Sequence, residues 1–203
     1  MTLEDLIAQI ARLPLHNGRR LVAIAGPPAS GKSTLADHLA ARIEGACAVP
    51  MDGFHRDNTD LIAQGLLERK GAPQTFDAVG FCALIAEIAR GGQVSYPTFD
   101  RSRDQTVPAG GQVAANAQTV IVEGNYLLLA DSPWDQLGRF WGLSVMVAPP
   151  VAVLEQRLVQ RWVDHGMSPQ AARMRAMGND IPNARLVLDR SVDATIRTTG
   201  FDI

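Results

Sequence analysis

Cysteine is scarce in this sequence. The two cysteines, Cys47 and Cys82, lie far apart, and neither has a second cysteine or a histidine at the spacing of a metal site. A disulfide framework and a structural zinc site are therefore excluded as organising features. Both thiols are expected in the core of a protein that works in the reducing cytoplasm.

An excess of charge of one sign is also absent. The 19 Lys and Arg residues nearly balance the 21 Asp and Glu residues, so the formal net charge is −2 at pH 7. No run of Lys or Arg forms the dense basic footprint of a protein that binds nucleic acid or an anionic membrane. The expected partner is a small-molecule substrate rather than nucleic acid, and the sequence leaves open whether the chain forms a homodimer.

Long apolar runs are missing as well. The most apolar stretch, Leu143 to Leu154, is interrupted by Pro149 and Pro150, and it is shorter than the roughly 20 residues that span a bilayer. The first residues, Met1 to Leu6, are acidic and amphipathic, unlike a secretory signal. We predict no membrane segment, no export and a cytoplasmic protein.

Apolar residues are nevertheless abundant. They make up 46% of the chain, enough to bury a large core in one domain covering residues 1–203. Short apolar runs alternate with helical patterns, an order typical of a parallel sheet between helices. The predicted strands are 21–25, 46–51, 119–122, 143–147 and 194–197, and the predicted helices are 3–13, 32–43, 77–90, 150–164 and one that begins at 168. The expected fold class is α/β with a five-stranded parallel sheet, and residues 91–111 are expected to form an ordered functional loop.

A phosphate-binding motif follows the first predicted strand. Residues 26–33, Gly-Pro-Pro-Ala-Ser-Gly-Lys-Ser, match GxxxxGK[ST] between a buried strand and a helix, the context in which this motif forms a P-loop. In a P-loop, backbone N–H groups face phosphate oxygens, the lysine reaches the β- and γ-phosphates, and the hydroxyl binds Mg²⁺. We therefore predict a P-loop NTPase fold, with a chance Gly-rich turn as the alternative. The predicted ATP-binding residues are Gly26, Ala29, Ser30, Gly31, Lys32, Ser33 and Thr34, and Ser33 is also a predicted metal ligand.

Acidic residues stand at the ends of two predicted strands. Glu123 ends an apolar strand, as a carboxylate that helps to hold Mg²⁺ would. Asp52 follows the second strand, where open α/β sheets bind ligands, and could accept or polarise the proton of an attacking hydroxyl. The alternatives are a solvated strand end for Glu123 and a turn-forming Asp-Gly pair for Asp52. His55 either binds substrate or is structural.

Arginines recur on the two helices that follow residue 150. Arg157 and Arg161 are four residues apart and share a helical face, and Arg173 and Arg175 lie on the next helix. Such residues suit a lid, over about residues 155–178, that covers the triphosphate and stabilises charge on the transferring phosphoryl group. A solvated face of a surface helix is the alternative.

The segment from Tyr96 to Asp104 mixes aromatic, acidic and basic side chains. This mixture is found in pockets for polar metabolites, so Tyr96 and Arg101 are candidate substrate-binding residues. A surface loop explains the same composition.

With these motifs the sequence resembles the phosphoribulokinase/uridine kinase family of P-loop kinases, which includes the bacterial pantothenate kinases. The matching blocks run along nearly the whole chain: Gly26 to Thr34, Met51 to Phe54, Gly71 to Asp77, Tyr96 to Arg101, Val122 to Gly124, and Arg157 with Arg161. Within the family the sequence is most similar to a bacterial subgroup provisionally labelled fructose-transport-system kinase or nucleoside kinase-like.

The resemblance implies a role for several residues. Asp52 would be the catalytic carboxylate, Lys32 and Ser33 would bind triphosphate and Mg²⁺, and Glu123 would assist the metal. Arg161 would belong to the lid. Asn183 would border the adenine. The Asp52 turn is closer to pantothenate kinases than to uridine kinases, but this chain is shorter than a pantothenate kinase, so neither substrate transfers.

Together these features predict an ATP- and Mg²⁺-dependent kinase. It would transfer the γ-phosphoryl group to a hydroxyl of a small metabolite, either a sugar such as fructose or a nucleoside- or pantothenate-like alcohol. Lys32, Asp52, Arg157 and Arg161 are its candidate catalytic residues. The alternatives are a P-loop ATPase or nucleotide-dependent regulatory module, which would hydrolyse ATP without an acceptor, and a nucleotide-binding scaffold without turnover.

Overall fold

The central sheet is parallel throughout. The computed structural model describes residues 1–202, and its strands are β1 (Arg20–Ala25), β2 (Ala46–Pro50), β3 (Val94–Asp100), β4 (Gln105–Val113), β5 (Thr119–Gly124), β6 (Leu143–Val147) and β7 (Ile196–Thr198). Five of these strands pair in the order β2-β5-β1-β6-β7, and each pair is parallel. The predicted α/β fold with a five-stranded parallel sheet is confirmed.

Helices connect the strands. They are α1 (Leu3–Ala11), α2 (Lys32–Arg42), α3 (Asn58–Ala63), α4 (Ala78–Arg90), α5 (Val151–Asp164), α6 (Pro169–Arg175) and α7 (Ile181–Arg190), and a π-helical turn, Ala176–Asp180, joins α6 to α7. The Thr2 side chain caps α1 by accepting a hydrogen bond from the Asp5 backbone N–H. Within residues 1–202, no helix is both long and apolar enough to cross a membrane.

Alternate residues of β1 enter separate hydrophobic cores. Val22 and Ile24 pack with α1 and α2, whereas Leu21, Ala23 and Ala25 pack with α4. The buried helix residues in these cores are Leu6 and Ile10 of α1, Leu35 and Leu39 of α2, and Phe81, Leu84, Ile85 and Ile88 of α4. Successive side chains of a strand point to opposite faces, so a strand that is buried on both faces needs an uninterrupted apolar run. The sequence of β1 meets this requirement.

A β-hairpin replaces the functional loop expected over residues 91–111. β3 and β4 pair antiparallel as a separate two-stranded sheet, and their register shifts between Tyr96 and Thr98. The shift accommodates Pro97 in β3 and Pro108 in β4, residues that normally interrupt strands and are tolerated at bulges. The two prolines interrupt the alternation of apolar and polar residues that would indicate strands, so the sequence does not predict the hairpin.

Arg19 ties three parts of the chain together without a carboxylate partner. Arg19 is 1% exposed and donates to backbone carbonyl oxygens at the end of α4 and in the connection between β4 and β5. The acceptors are Ile88 (3.0 Å), Ala114 (2.7 Å), Ala117 (3.1 Å) and Gly92. A guanidinium offers five donors in one plane, so it can satisfy several converging carbonyl groups at once.

We expect Arg19→Met to lower the free energy of unfolding by about 3 kcal/mol, because several buried carbonyl groups would lose a charged donor. Urea unfolding followed by circular dichroism measures the change. Arg12→Met is the matched control, because Arg12 is exposed. Equal stabilities for the two variants would show that the Arg19 hydrogen bonds do not hold these segments together.

Candidate active site

Three strands end side by side at the carboxyl edge of the central sheet. Ala25, the last residue of β1, lies beside Gly124 of β5, and Pro50, the last residue of β2, lies beside Glu123. The P-loop continues from β1, and a 3₁₀ turn, Met51–Phe54, continues from β2. The pairing of the strands therefore brings the P-loop, Glu123 and the turn to one place.

These segments border one cavity of about 1180 Å³. Most of the predicted site residues line it, namely Ala29, Ser30, Gly31, Lys32, Ser33, Thr34, Asp52, His55, Arg101, Arg157, Arg161 and Asn183. The part beside residues 28–35 is called the P-loop end, and the part formed by Asn58, Lys70, Phe99, Arg101 and Asp104 is called the hairpin end. The volume exceeds the roughly 300–1,000 Å³ of an ordinary ligand pocket, so it accommodates a nucleotide and a second small ligand.

The backbone of the P-loop is shaped to bind an anion. Ala29 (φ 62°) and Gly31 (φ 95°) both adopt the left-handed conformation, which turns successive N–H groups inward as in anion-binding nests. A Cβ atom at Gly26 would lie 2.5 Å from the Val147 carbonyl oxygen, so this junction with β6 requires glycine. α2 begins at Lys32, and the positive end of its dipole adds to the attraction for phosphate.

Glu123 and Ser33 fit a magnesium ion at the P-loop end. Glu123 is 6% exposed; burial raises the pKa of its carboxyl group, while the nearby Lys32 ammonium and Ser33 hydroxyl oppose the rise. Carboxylate and hydroxyl oxygens suit Mg²⁺, and phosphate oxygens and water commonly complete its shell. Residues 1–202 contain no cluster of three or more His, Cys, Asp or Glu side chains that could hold a metal by themselves.

Asp52 enters the cavity from the 3₁₀ turn and is already paired. Its Oδ2 accepts a hydrogen bond from Arg101 Nη2 at 2.5 Å, and Arg101 lies in the turn between β3 and β4. A Cβ atom at Gly53 would collide with the Pro97 carbonyl group. Because Gly53 lacks that atom, the hairpin packs directly against the turn, and this contact aligns Arg101 with Asp52.

Two arginines of α5 reach the same cavity. Arg157 Nη1 donates to the carbonyl oxygens of Ala29 (3.2 Å) and Ser30 (3.3 Å), which are both in the P-loop. For Arg161, burial and the nearby charge of Arg101 lower the pKa of the guanidinium group. Neither Arg157 nor Arg161 forms an ion pair within the described part of the chain. Both cations therefore remain available to an anionic ligand.

Trp162 anchors the segment that follows α5. Its indole Nε1 donates to Asp180 Oδ2 at 2.5 Å, and the Arg175 guanidinium lies 5.3 Å from its ring centroid. Arg175 also donates to the Glu68 carbonyl oxygen at 2.8 Å. Burial raises the pKa of the Asp180 carboxyl group. These contacts join α6 and the π-helical turn, a feature frequent at functional sites, to the wall beside the hairpin end.

The hairpin end contains a triad of Asn58, Lys70 and Asp104. Lys70 Nζ donates to Asn58 Oδ1 at 2.7 Å and to Asp104 Oδ1 at 2.8 Å, and Asn58 Nδ2 donates to Asp104 Oδ2 at 2.7 Å. Lys70 Nζ also lies 5.0 Å from the centroid of the Phe99 ring. Burial opposes ionisation of Asp104, but the hydrogen bonds from Lys70 and Asn58 hold the pKa of its carboxyl group below the usual value.

Four residues that the sequence singles out do not line the cavity, namely Gly26, Tyr96, Glu123 and Arg173. Tyr96 is 8% exposed and packs in the core, where its hydroxyl donates to the Ala48 carbonyl oxygen at 3.1 Å. Arg173 pairs with Glu155 at 2.9 Å on the neighbouring helix and does not line the cavity. Alternation along β3 explains the position of Tyr96, because its side chain points to the buried face of the hairpin.

Asn183 lines the cavity beside the 68–71 segment. A Cβ atom at Gly71 would lie 3.9 Å from Asn183 Nδ2, which places this side chain beside the 68–71 segment. The wall next to the P-loop comes instead from residues 199–201, which follow β7. The Ala148 backbone N–H at the end of β6 donates to Thr198 O at 2.7 Å, and this contact fixes that wall.

The sequence points to the loops at 53–60, 70–77 and 96–104 as the walls of the acceptor pocket, and residues of all three loops line the cavity. It does not single out the individual side chains there, namely Asn58, Lys70, Phe76, Phe99 and Asp104, nor Asn125. Phe76 and Phe99 lie in blocks that resemble the kinase family, and Asn125 directly follows the matching block that ends in Glu123-Gly124. The family resemblance could therefore have identified these three residues as candidates. Asn125 Oδ1 is buried and has no hydrogen-bond partner within the protein.

His55 is held as a neutral imidazole. Its ring stacks on Phe76 with a centroid distance of 4.1 Å and lies 4.8 Å from Phe99. Burial lowers its pKa from the usual 6.5 to about 4, although the nearby Asp52 charge opposes this change. At neutral pH, His55 therefore adds no charge to the cavity.

The lowered pKa of His55 predicts a pH-dependent stability. Between pH 6.5 and pH 4 the unfolded chain binds a proton at His55 and the folded chain does not. The free energy of unfolding should therefore fall as the pH falls through this window, by about 3 kcal/mol in total. Urea unfolding at half-unit pH intervals measures the slope.

His55→Gln should remove this part of the slope. The matched control, His16→Gln, changes an exposed histidine and should retain it. Identical pH profiles for the wild-type protein and His55→Gln would contradict the assignment of a neutral, buried His55.

No family model matches the chain, but individual proteins are similar to it over most of its length. It is 34% identical over 201 residues to the uncharacterized protein YggC of Escherichia coli, covering 95% of this chain and 84% of that protein. It is 29% identical over 198 residues to "Putative uridine kinase C227.14" of Schizosaccharomyces pombe, covering 91% of this chain and 84% of that protein.

A solved structure is similar in both sequence and fold. The "putative fructose transport system kinase" from Silicibacter sp. TM1040 is 44% identical, with a TM-score of 0.91, and the match covers 97% of this chain and 98% of that one. The fold, the P-loop and these relatives agree with the resemblance seen in the sequence. The chain therefore belongs to the phosphoribulokinase/uridine kinase family of P-loop kinases and is a small-molecule kinase.

Proposed function

We propose that this protein transfers the γ-phosphoryl group of ATP, in the presence of Mg²⁺, to a hydroxyl group of a small metabolite bound at the hairpin end. The observation that carries the proposal is the position of Asp52, a carboxylate that lines the same cavity as the P-loop. A kinase needs such a group beside the acceptor hydroxyl, and ATP hydrolysis alone does not need a second ligand site.

ATP would lie along the P-loop end. The inward N–H groups of residues 29–33 and the Lys32 ammonium would bind the triphosphate. Mg²⁺, held by Ser33 with support from Glu123, would neutralise part of the phosphate charge. The wall formed by residues 199–201 supports placing the adenine there, next to the P-loop, whereas the contact of Asn183 with the 68–71 segment favours a role near the acceptor.

Phosphoryl transfer would use Asp52 as the proton acceptor. The acceptor oxygen would attack the γ-phosphorus, a new O–P bond would form, and the bond to the β-phosphate oxygen would break with its electron pair leaving on ADP. The hydroxyl proton would pass to Asp52. Arg101, which donates to Asp52, would orient the carboxylate.

Arg161 is suited to the charge that develops during transfer. It lies close enough to Asp52 and Arg101 for their charges to affect its pKa, and it has no carboxylate partner within residues 1–202. A desolvated, unpaired guanidinium stabilises a transferring phosphoryl group most effectively when water is excluded. α5 and α6 would provide this exclusion as a lid.

The acceptor would be a sugar such as fructose, or a nucleoside- or pantothenate-like alcohol. The rings of Phe76 and Phe99 offer apolar surface, and Asn58, Lys70, Asp104 and Asn125 offer hydrogen-bonding groups. Similarity to the Silicibacter protein, a "putative fructose transport system kinase", makes fructose a suitable first acceptor to test.

We expect Asp52→Asn to reduce acceptor-dependent ADP release by about 10²- to 10⁴-fold, because the amide cannot accept the hydroxyl proton. The measurement is a coupled ADP assay with Mg²⁺ across sugars, nucleosides, pantothenate and sugar phosphates. Asp60→Asn is the matched control, since Asp60 is exposed on α3 and does not line the cavity.

ADP release that needs no acceptor and is unchanged in Asp52→Asn would overturn the kinase proposal. That outcome would favour a P-loop ATPase or a nucleotide-dependent regulatory module.

The two arginines of α5 should have separable effects. Arg161→Gln should lower kcat by about 10³-fold with a small change in KM for ATP, because Arg161 would act on the transferring group. Arg157→Gln should mainly raise KM for ATP, because Arg157 binds carbonyl groups of the P-loop. Steady-state kinetics separate the parameters, and the reverse pattern would contradict these roles.

A further inference from the structure

The positive charges of the cavity differ in their pairing. Lys32, Arg157 and Arg161 form no ion pair within residues 1–202. Lys32 and Arg157 adjoin the P-loop, and Arg161 lies between the P-loop end and the Asp52–Arg101 pair. At the hairpin end, Lys70 pairs with Asp104 at 2.8 Å and Arg101 pairs with Asp52 at 2.5 Å. Unpaired cations thus occur where a triphosphate would bind, and neutralised cations occur where the acceptor would bind.

Lys70 has no donor left for a ligand. An ammonium group has three N–H donors, and those of Lys70 have acceptors at Asn58 Oδ1 (2.7 Å), Asp104 Oδ1 (2.8 Å) and Asp104 O (3.4 Å). The Lys70 side chain is 12% exposed and lies over the Phe99 ring. Its position is therefore fixed from several sides, and it cannot turn towards an incoming anion without breaking the triad.

Other polar groups of the cavity also suit an uncharged ligand. Asn125, which follows β5, lines the same cavity, and its Oδ1 is buried without a partner. This oxygen can accept a hydrogen bond from a hydroxyl group and would repel the oxygens of a phosphate or carboxylate. Asp52 and Asp104 add carboxylates to the same region. An anionic acceptor would therefore lose its hydration without gaining a free cation from Lys70 or Arg101, and Arg161, the unpaired cation near Asp52, is the group proposed to bind the transferring phosphoryl group.

We infer that the acceptor is an uncharged polyhydroxyl compound, and that the triad of Asn58, Lys70 and Asp104 excludes phosphorylated and carboxylated acceptors. This inference rests on the proposed kinase function and narrows it: a neutral sugar, a nucleoside or a neutral alcohol is accepted, and pantothenate and sugar phosphates are not. Asp104 is the specificity-determining residue, because it neutralises Lys70.

The test compares neutral acceptors with anionic acceptors of matched shape. Suitable sets are fructose with fructose 1-phosphate and fructose 6-phosphate, uridine with its 3′- and 5′-monophosphates, and panthenol with pantothenate. Each phosphate set contains a member that blocks a different hydroxyl, so loss of turnover through a blocked acceptor hydroxyl is separated from an effect of charge. For each set, kcat/KM is measured by acceptor-dependent ADP release for the wild-type protein, Asp104→Asn, Lys70→Gln and the control Asp60→Asn. Thermal unfolding establishes that each variant is folded.

The wild-type protein should use the neutral member of an accepted set at least about tenfold better than any anionic member. Asp104→Asn should reduce this preference by about tenfold, because it leaves the Lys70 charge unmatched. Lys70→Gln should increase it, because it leaves Asp104 unmatched. Asp60→Asn should not change it.

Wild-type turnover of an anionic acceptor as efficient as that of its neutral partner would overturn the inference. If the wild-type protein, Asp104→Asn and Lys70→Gln all show the same ratio of kcat/KM for neutral over anionic acceptors, the role of the triad is overturned. If either variant is unfolded, the wild-type ratio alone decides the inference. Failure of the proposed kinase function gives a different result from failure of the inference. ADP release would then be independent of every acceptor, and the inference would be wrong as well.

Discussion

The parallel register of β1, β2 and β5 is the constraint on which the site depends. Burial on both faces makes β1 a continuous apolar strand, and its pairing with β5 aligns Ile24 with Glu123. The same pairing on the other side of β5 aligns Pro50 with Glu123. The segments that follow β1, β2 and β5 therefore begin at nearly the same level along the strand direction. Phosphate-binding N–H groups and carboxylates converge because the hydrophobic strands have fixed this register.

The two ends of the cavity differ in their charged groups. Near the P-loop, nest-like N–H groups, a helix dipole and unpaired cations all favour a polyanion. Towards the hairpin, Asp52 and Asp104 neutralise Arg101 and Lys70, and His55 is uncharged at neutral pH because it is buried against Phe76. This division has a physical basis, because a cation that is already paired inside a partly dry cavity gives little attraction to a second anion. One cavity can in this way bind a highly charged donor while selecting a neutral acceptor.

The sequence predicts the P-loop end better than the hairpin end. Residues 26–34 form one continuous motif, and Asp52 and Glu123 each directly follow an apolar strand, so local patterns locate them. The contacts of the hairpin end are not local: Lys70 is separated by 12 residues from Asn58 and by 34 from Asp104. No periodic pattern encodes such a three-way contact. Pro97 interrupts the strand pattern of the hairpin that carries Asp104. The prediction that Tyr96 binds substrate rests on composition, and composition does not show which face of a strand is buried.

Kinase activity is tested most directly by following the γ-phosphorus of ATP itself. Phosphorus-31 NMR of the wild-type protein with ATP, Mg²⁺ and a neutral sugar or nucleoside distinguishes a phosphate ester from inorganic phosphate. If the protein phosphorylates the acceptor, a phosphomonoester resonance should grow in step with ADP while little inorganic phosphate appears. Inorganic phosphate accumulating in step with ADP, with the acceptor unchanged, would contradict the proposed kinase activity.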